Sequence, residues 1–291
     1  MIQKNKLQIA VTLVYFGFLG WWISFQSVVE AQGSSVNWFE NTYGLVALTG
    51  AIIGFIAMKK WGGLKTVLGK ALFFFSLGLL AQEAGQLISS YYTQIAHTDL
   101  PYPSVGDIAY FGSVILYIIA ALYLTKVSGA KFSLKETKGK LIAIFVPVVL
   151  LAISYTVLLK GYSYDTSHAM TVVLDIGYPV GQAIYISIAI TAYLLSRKLL
   201  GGYMKAGILL VIFALAVQYI SDFSFIYTVH RGTYVPGKFV DLLYLTSYFL
   251  MATAMIKFLS IYTGLKAKTA VSAEASEKPA EKDEASSEKE A

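Results

Sequence analysis

"PYPSVGDIAYFGSVILYIIAALYLTK", residues 101–126, states the architecture in miniature. Two prolines and a serine make a turn, Asp107 follows, and residues 108–125 then pass without a charge before Lys126. A run of roughly 20 apolar residues has the length of a bilayer's hydrocarbon core when helical. The same grammar recurs along the chain, in eight runs at about 7–26, 41–58, 71–95, 104–125, 141–159, 170–196, 205–229 and 239–262. Of the 291 residues, 56% are hydrophobic and only 14% charged, against about 25% charged in a soluble domain. The prediction is an all-α fold: a polytopic bundle of eight transmembrane helices over residues 1–262, with the lipid bilayer as its first partner.

Lysine and arginine give the orientation. If the N-terminus is inside, the inner segments hold 17 basic residues, from Lys4 and Lys6 through Lys126–Lys140 to Lys266 and Lys268. The outer loops hold only Lys160, Arg231 and Lys238. The positive-inside bias therefore predicts a cytoplasmic (inner) membrane protein with both termini cytoplasmic. The net charge of +6 has the same origin, and no nucleic-acid signature accompanies it. "VEAQ" at 29–32 could pass for a signal-peptide cleavage site, which would leave seven spans. The apolar stretch from Leu7 to Phe25 is longer than the usual 7–15-residue signal core and contains Trp21 and Trp22, so retention is the expectation. The absence of cysteine excludes disulfides, thiol nucleophiles and cysteine-ligated metals. Residues 263–291 are rich in Ala, Glu, Ser and Lys with no periodic apolar face, and read as a disordered cytoplasmic tail.

Two stretches resemble each other. Glu83, the "LPYPS" turn and Asp107, Tyr110 and Ser113 follow one another in the third and fourth spans. Asp222, "TYVPGK" and Asp241, Tyr244 and Ser247 do the same in the seventh and eighth. The spacing predicts a parallel four-plus-four repeat with halves at about 1–135 and 136–262.

Asp107–Tyr110, Asp175–Tyr178 and Asp241–Tyr244 share an Asp-x-x-Tyr spacing that puts each pair on one helix face. Asp107 and Asp241 sit in first turns, where a carboxylate also serves as a helix cap. Asp222 and Glu83 lie deeper. A charge there costs about 2.5–3.5 kcal/mol and normally faces a cavity or a partner, yet no lysine or arginine lies at matching depth. Pro179 follows Asp175 by four residues and removes the donor to its carbonyl, which predicts a kink exposing that carboxylate to the interior. Glu83, Asp107, Tyr110, Asp175, Tyr178, Gln218, Asp222, Asp241 and Tyr244 are thus the candidate ligand-binding residues. They predict an outward, electronegative, tyrosine-lined cup suited to a cation, a small amine or a proton.

Other chemistries fit less well. "GGLKTVLGKA" has five residues between Gly63 and Gly69 where a phosphate loop needs four, and no mid-span lysine exists for a retinal-type Schiff base. "GAIIG" at 50–54 is a helix-packing motif. His97, His168 and His230, with Asp99 and Asp165 nearby, offer an alternative metal site for a zinc-dependent intramembrane hydrolase, although none of them has helical ligand spacing. No cofactor is otherwise expected.

With those residues in view, "PYPSVGDIAYFGS", "LDIGYPVGQAIYI" and "ISDFSFIY…GTYVPGKFVDLLYLTSY" resemble the seven- to eight-span sensory membrane domains of bacteria. Those domains stand before diguanylate cyclases, cyclic-di-GMP phosphodiesterases and histidine kinases. The likeness covers roughly residues 70–255, and Glu83 departs from the aspartate usual at its place. No such output domain follows residue 262 in this sequence. The resemblance implies a stand-alone, non-enzymatic sensory or ligand-binding module that signals through a membrane or cytoplasmic signalling protein. A proton- or cation-coupled transporter is the alternative.

Overall fold

The computed structural model describes residues 2–26, 34–98, 101–128, 136–161, 168–196 and 204–277. Nine helices run through them: α1 (Ile2–Gln26), α2 (Ser34–Thr42), α3 (Leu45–Lys60), α4 (Val67–Ser90), α5 (Val105–Ser128), α6 (Thr137–Ser154), α7 (Ala169–Ser196), α8 (Lys205–His230) and α9 (Phe239–Glu277). There is no strand among the described residues. Wide π turns prolong α4 over Tyr91–Ile95 and α6 over Tyr155–Leu159. With those extensions, and with α2 and α3 joined, eight segments are long and apolar enough to cross a membrane.

Local chemistry sets the helix starts. Thr66 opens α4 by accepting the Gly69 amide at 3.0 Å. Ser104 opens α5 with a reciprocal cap: its Oγ accepts from the Gly106 amide, while Asp107 Oδ2 accepts from the Ser104 amide at 2.8 Å. This is a capping box with Asp in the position usual for Glu.

The helices pair as α4 with α5 and α8 with α9. Helix α3 packs against both α4 and α9, while α7 packs on α5 and carries α6 on its far side. Helices α1 and α6 are peripheral: 6% and 11% of their most apolar windows are buried, against 56% for α9. Glycines permit the closest approaches. On α4, seven residues apart, Gly78 and Gly85 carry the rings of Tyr117 and Tyr110; a Cβ at Gly85 would fall 2.7 Å from Tyr110. Gly50 and Gly54 of the "GAIIG" motif seat α3 against Ala252 and Met255 of α9, as small-xxx-small spacing allows. Around them Phe75, Leu79, Tyr117, Tyr185, Met251 and Met255 form a fully buried centre.

Two boundaries differ from the sequence expectation. The second span extends over Trp38–Lys60 and is broken at Tyr43–Gly44, so it is two helices and not one run over 41–58. Helix α9 runs on to Glu277, so residues 263–277, assigned above to a disordered tail, are helical. Ala, Lys and Glu are strong helix formers, and extending a formed helix escapes the nucleation cost that an isolated segment meets. Residues 278–291 lie outside the described residues. Helix α7 continues without interruption through Pro179.

Candidate functional site: an acid–tyrosine layer

Five acids and their partners occupy the end of the bundle that carries residues 101–104 and the 231–238 turn. The two cap acids use one device. In each, one carboxylate oxygen holds backbone and the other accepts from a tyrosine. Asp107 Oδ2 takes the Ser104 amide, and Oδ1 takes Tyr178 at 2.9 Å. Asp241 Oδ2 takes the Gly237 amide, and Oδ1 takes Tyr234 at 3.2 Å. The carboxyl of Asp222 is saturated: Gln218 and Tyr244 donate to Oδ1 at 2.9 and 3.0 Å, and Tyr185 donates to Oδ2 at 3.2 Å. Asp175 accepts from Tyr102 at 2.7 Å through Oδ1.

The Asp-x-x-Tyr spacing therefore works as a cross-link between helices. Sharing a face, the acid of each motif does not bond its own tyrosine. Tyr178 serves Asp107 on α5, and Tyr244 serves Asp222 on α8. Tyr110 lies on Gly85 with its phenol within electrostatic reach of Glu83. A second chain of bonds crosses the interior below: Tyr248 donates to Gln82 Oε1 (3.1 Å), Gln82 to Ser113 (2.8 Å), and Ser113 to the Tyr110 carbonyl (2.7 Å). Ser247 donates to Gln218 at 2.7 Å on the other side.

Among the described residues two buried carboxylate oxygens have no hydrogen-bond partner, Glu83 Oε2 and Asp175 Oδ2. Glu83 is 3% exposed and Asp175 6%. The Glu83 carboxylate rests on Gly44 at the break between α2 and α3, where any Cβ would collide with it, and Gln86 closes the same spot. Gln86 in turn donates to the Glu40 carbonyl at 2.7 Å, tying α4 to α2. The rings of Tyr43 and Tyr248 stack nearby at 6.1 Å between centroids.

All nine predicted ligand-binding residues thus belong to the layer, but in differing condition. Asp107, Asp222 and Asp241 are closed by the chain's own donors, whereas Glu83 Oε2 and Asp175 Oδ2 receive no hydrogen bond from the described residues. Sequence reading missed Glu40, Tyr43 and Gly44, near the start of the second span, and the tyrosine donors Tyr102, Tyr185, Tyr234 and Tyr248. A usable signal was present: with no lysine or arginine at depth, the 21 tyrosines were the obvious donors. Tyr234, in the turn before α9, is a secure one. Burial and then the neighbouring Asp241 push its phenol well above its ordinary range, so it keeps its proton.

His97 and His168 are exposed, and His230 ends α8 half-buried within electrostatic reach of Asp175. Among the described residues no three His, Cys, Asp or Glu side chains group as a metal site. Asp99 and Asp165 lie outside the described residues. A groove of about 250 Å³ opens between α2 and the end of α4, lined by Trp38, Asn41, Leu87, Ser90, Tyr91, Gln94 and Ile95. None of the five acids lines it. Compared with protein-family models, curated proteins and solved structures, the chain matches none.

Proposed function

We propose that the protein is a multi-pass sensory or ligand-binding module of the cytoplasmic membrane, with both termini cytoplasmic, that takes a cation or small amine at Glu83. The observation that carries this reading is the buried Glu83 Oε2, which no group among the described residues satisfies. A lone carboxylate at such depth is costly, so Glu83 either holds a proton or accepts a positive ligand. Its surroundings suit a positive ligand: the Tyr110 and Tyr248 phenols lie within electrostatic reach of it, Gln86 packs beside it against Gly44, and no basic side chain lies at its depth. Saturated acids such as Asp222 fix the frame around that position. Signal output would pass through a partner protein, by shifts of helices that end in the lysine-rich loops or in the α9 extension.

The lysine bias supports the orientation, and shared geometry supports the repeat. Gln82–Ser113 and Gln218–Ser247 are bonded pairs at matching places in the two hairpins, the glutamine donating in the first and the serine in the second. Superposing them sets Asp222 opposite Gln86 and Glu83 opposite Tyr219, a register unlike the direct Glu83–Asp222 match that order alone suggests.

Calorimetric titration with a panel of amines and monovalent cations, in two buffers of different ionisation heat, tests the reading. A ligand that replaces the Glu83 proton releases that proton, and the measured heat then depends on the buffer. Glu83→Gln should abolish both the binding and the buffer dependence. Binding that survives unchanged in Glu83→Gln would sink the assignment.

A further inference from the structure

The groove between α2 and the end of α4 holds none of the acids, yet it has the features of a site. Ser90 Oγ, at its wall, is buried without a hydrogen-bond partner. Helix α4 loosens there into the π turn Tyr91–Ile95, a deformation that costs regular hydrogen bonds and recurs at functional positions. Trp38, Leu87 and Ile95 are 64%, 55% and 69% exposed, so the groove opens sideways, away from the bundle. In a chain that spans a membrane, a sideways opening faces lipid, and Trp38 and Tyr91 stand near the ends of their spans, where amphipathic rings meet the headgroups.

We propose that this groove binds one phospholipid of the surrounding bilayer, with a zwitterionic headgroup. The proposal rests on the membrane-spanning reading above and is separate from the Glu83 ligand. The lining holds no charged side chain, only an indole, a phenol, two carboxamides, a hydroxyl and two aliphatic chains. The rings offer faces to a headgroup ammonium, the hydroxyl and amides offer hydrogen bonds to phosphate and ester oxygens, and Leu87 and Ile95 lie along an acyl chain. An anionic lipid would find no lysine or arginine here. The volume, about eight waters at roughly 30 Å³ each, suits part of a headgroup better than a bare ion. An occupant would press on the α2–α4 contact one to two turns from Glu83.

The test is native mass spectrometry of the detergent-purified full chain, equilibrated with equal amounts of phosphatidylcholine and phosphatidylglycerol bearing the same acyl chains. One phosphatidylcholine per chain should be retained with at least tenfold preference. The Trp38→Ala/Tyr91→Ala double variant should lose it while keeping the wild-type response to cations at Glu83. Ser90→Ala, which need not disturb folding, should weaken retention severalfold. Equal retention by the double variant, a preference for phosphatidylglycerol, or equally tight capture of soluble phosphocholine would each overturn the proposal. Release of the chain from membranes by an alkaline wash would instead overturn the membrane reading beneath it.

Discussion

The α4–α5 and α8–α9 hairpins begin alike and finish differently. Both carry a glutamine–serine bond between their helices, and both cap the second helix with an aspartate that holds backbone through one oxygen. The α8–α9 hairpin then closes on itself: its cap acid is served by Tyr234 of its own turn, and Asp222 by Gln218 and Tyr244 of its own helices, with Tyr185 from α7 completing the set. The α4–α5 hairpin is left open. Its turn tyrosine, Tyr102, reaches across to Asp175 of α7, and its cap Asp107 is served by Tyr178 of α7. The acid inside it, Glu83, receives no hydrogen bond on Oε2 among the described residues. One hairpin spends its polar groups on its own structure; the other exchanges them with α7 and keeps one in reserve.

The largest expected effect lies in the closed hairpin. Asp222→Ala strips three buried donors of their acceptor, and each buried group left unsatisfied costs about 1–3 kcal/mol. A loss of about 3–5 kcal/mol is expected in denaturant unfolding in detergent, and a loss below about 1 kcal/mol would break the contrast. Next comes Gly85→Ala, whose Cβ would enter the Tyr110 ring. Overpacking of this kind costs about 1–3 kcal/mol, whereas Gly112→Ala, with open space around it, should be nearly neutral in the same melts.

The exchange with α7 gives a finer test. Tyr102→Phe and Tyr178→Phe should each lose about 1–2 kcal/mol. In a double-mutant cycle the two should couple, because both bonds hold the same α7 against the same hairpin. Strict additivity would mean that α7 is not docked through them. The smallest effect falls on Glu83→Gln, expected within about 0.5 kcal/mol of the parent or more stable, because removing an unpartnered buried acid relieves a cost.

How much of this could be read from the chain depends on the distance between partners. The spans were legible because about 20 consecutive apolar residues are a local property, as was the capping role of Asp107. Helix over 263–277 was not, since its Ala-, Lys- and Ser-rich composition reads as solvated until α9 is there to extend. Partner choice was invisible for a geometric reason. A spacing of three puts Asp175 and Tyr178 on one face but says nothing of which acid Tyr178 meets on α5. That choice rests on close helix approaches, at Gly177 against Phe111 and at Gly181 against Val114. Gly44 escaped notice because a glycine that makes room for a carboxylate from another helix looks, in sequence, like any other glycine.

The central claim is that the acid of the open hairpin, Glu83, takes a ligand and that Asp222, the acid of the closed one, does not. The most direct measurement is the melting temperature of the purified wild type, Glu83→Gln and Asp222→Asn, each with and without the best cation or amine from the titration. The account predicts that the ligand raises the wild-type melting temperature and leaves that of Glu83→Gln unmoved. It also predicts a ligand-induced rise in Asp222→Asn, from a lower starting point. A ligand shift abolished by Asp222→Asn and kept by Glu83→Gln would contradict it.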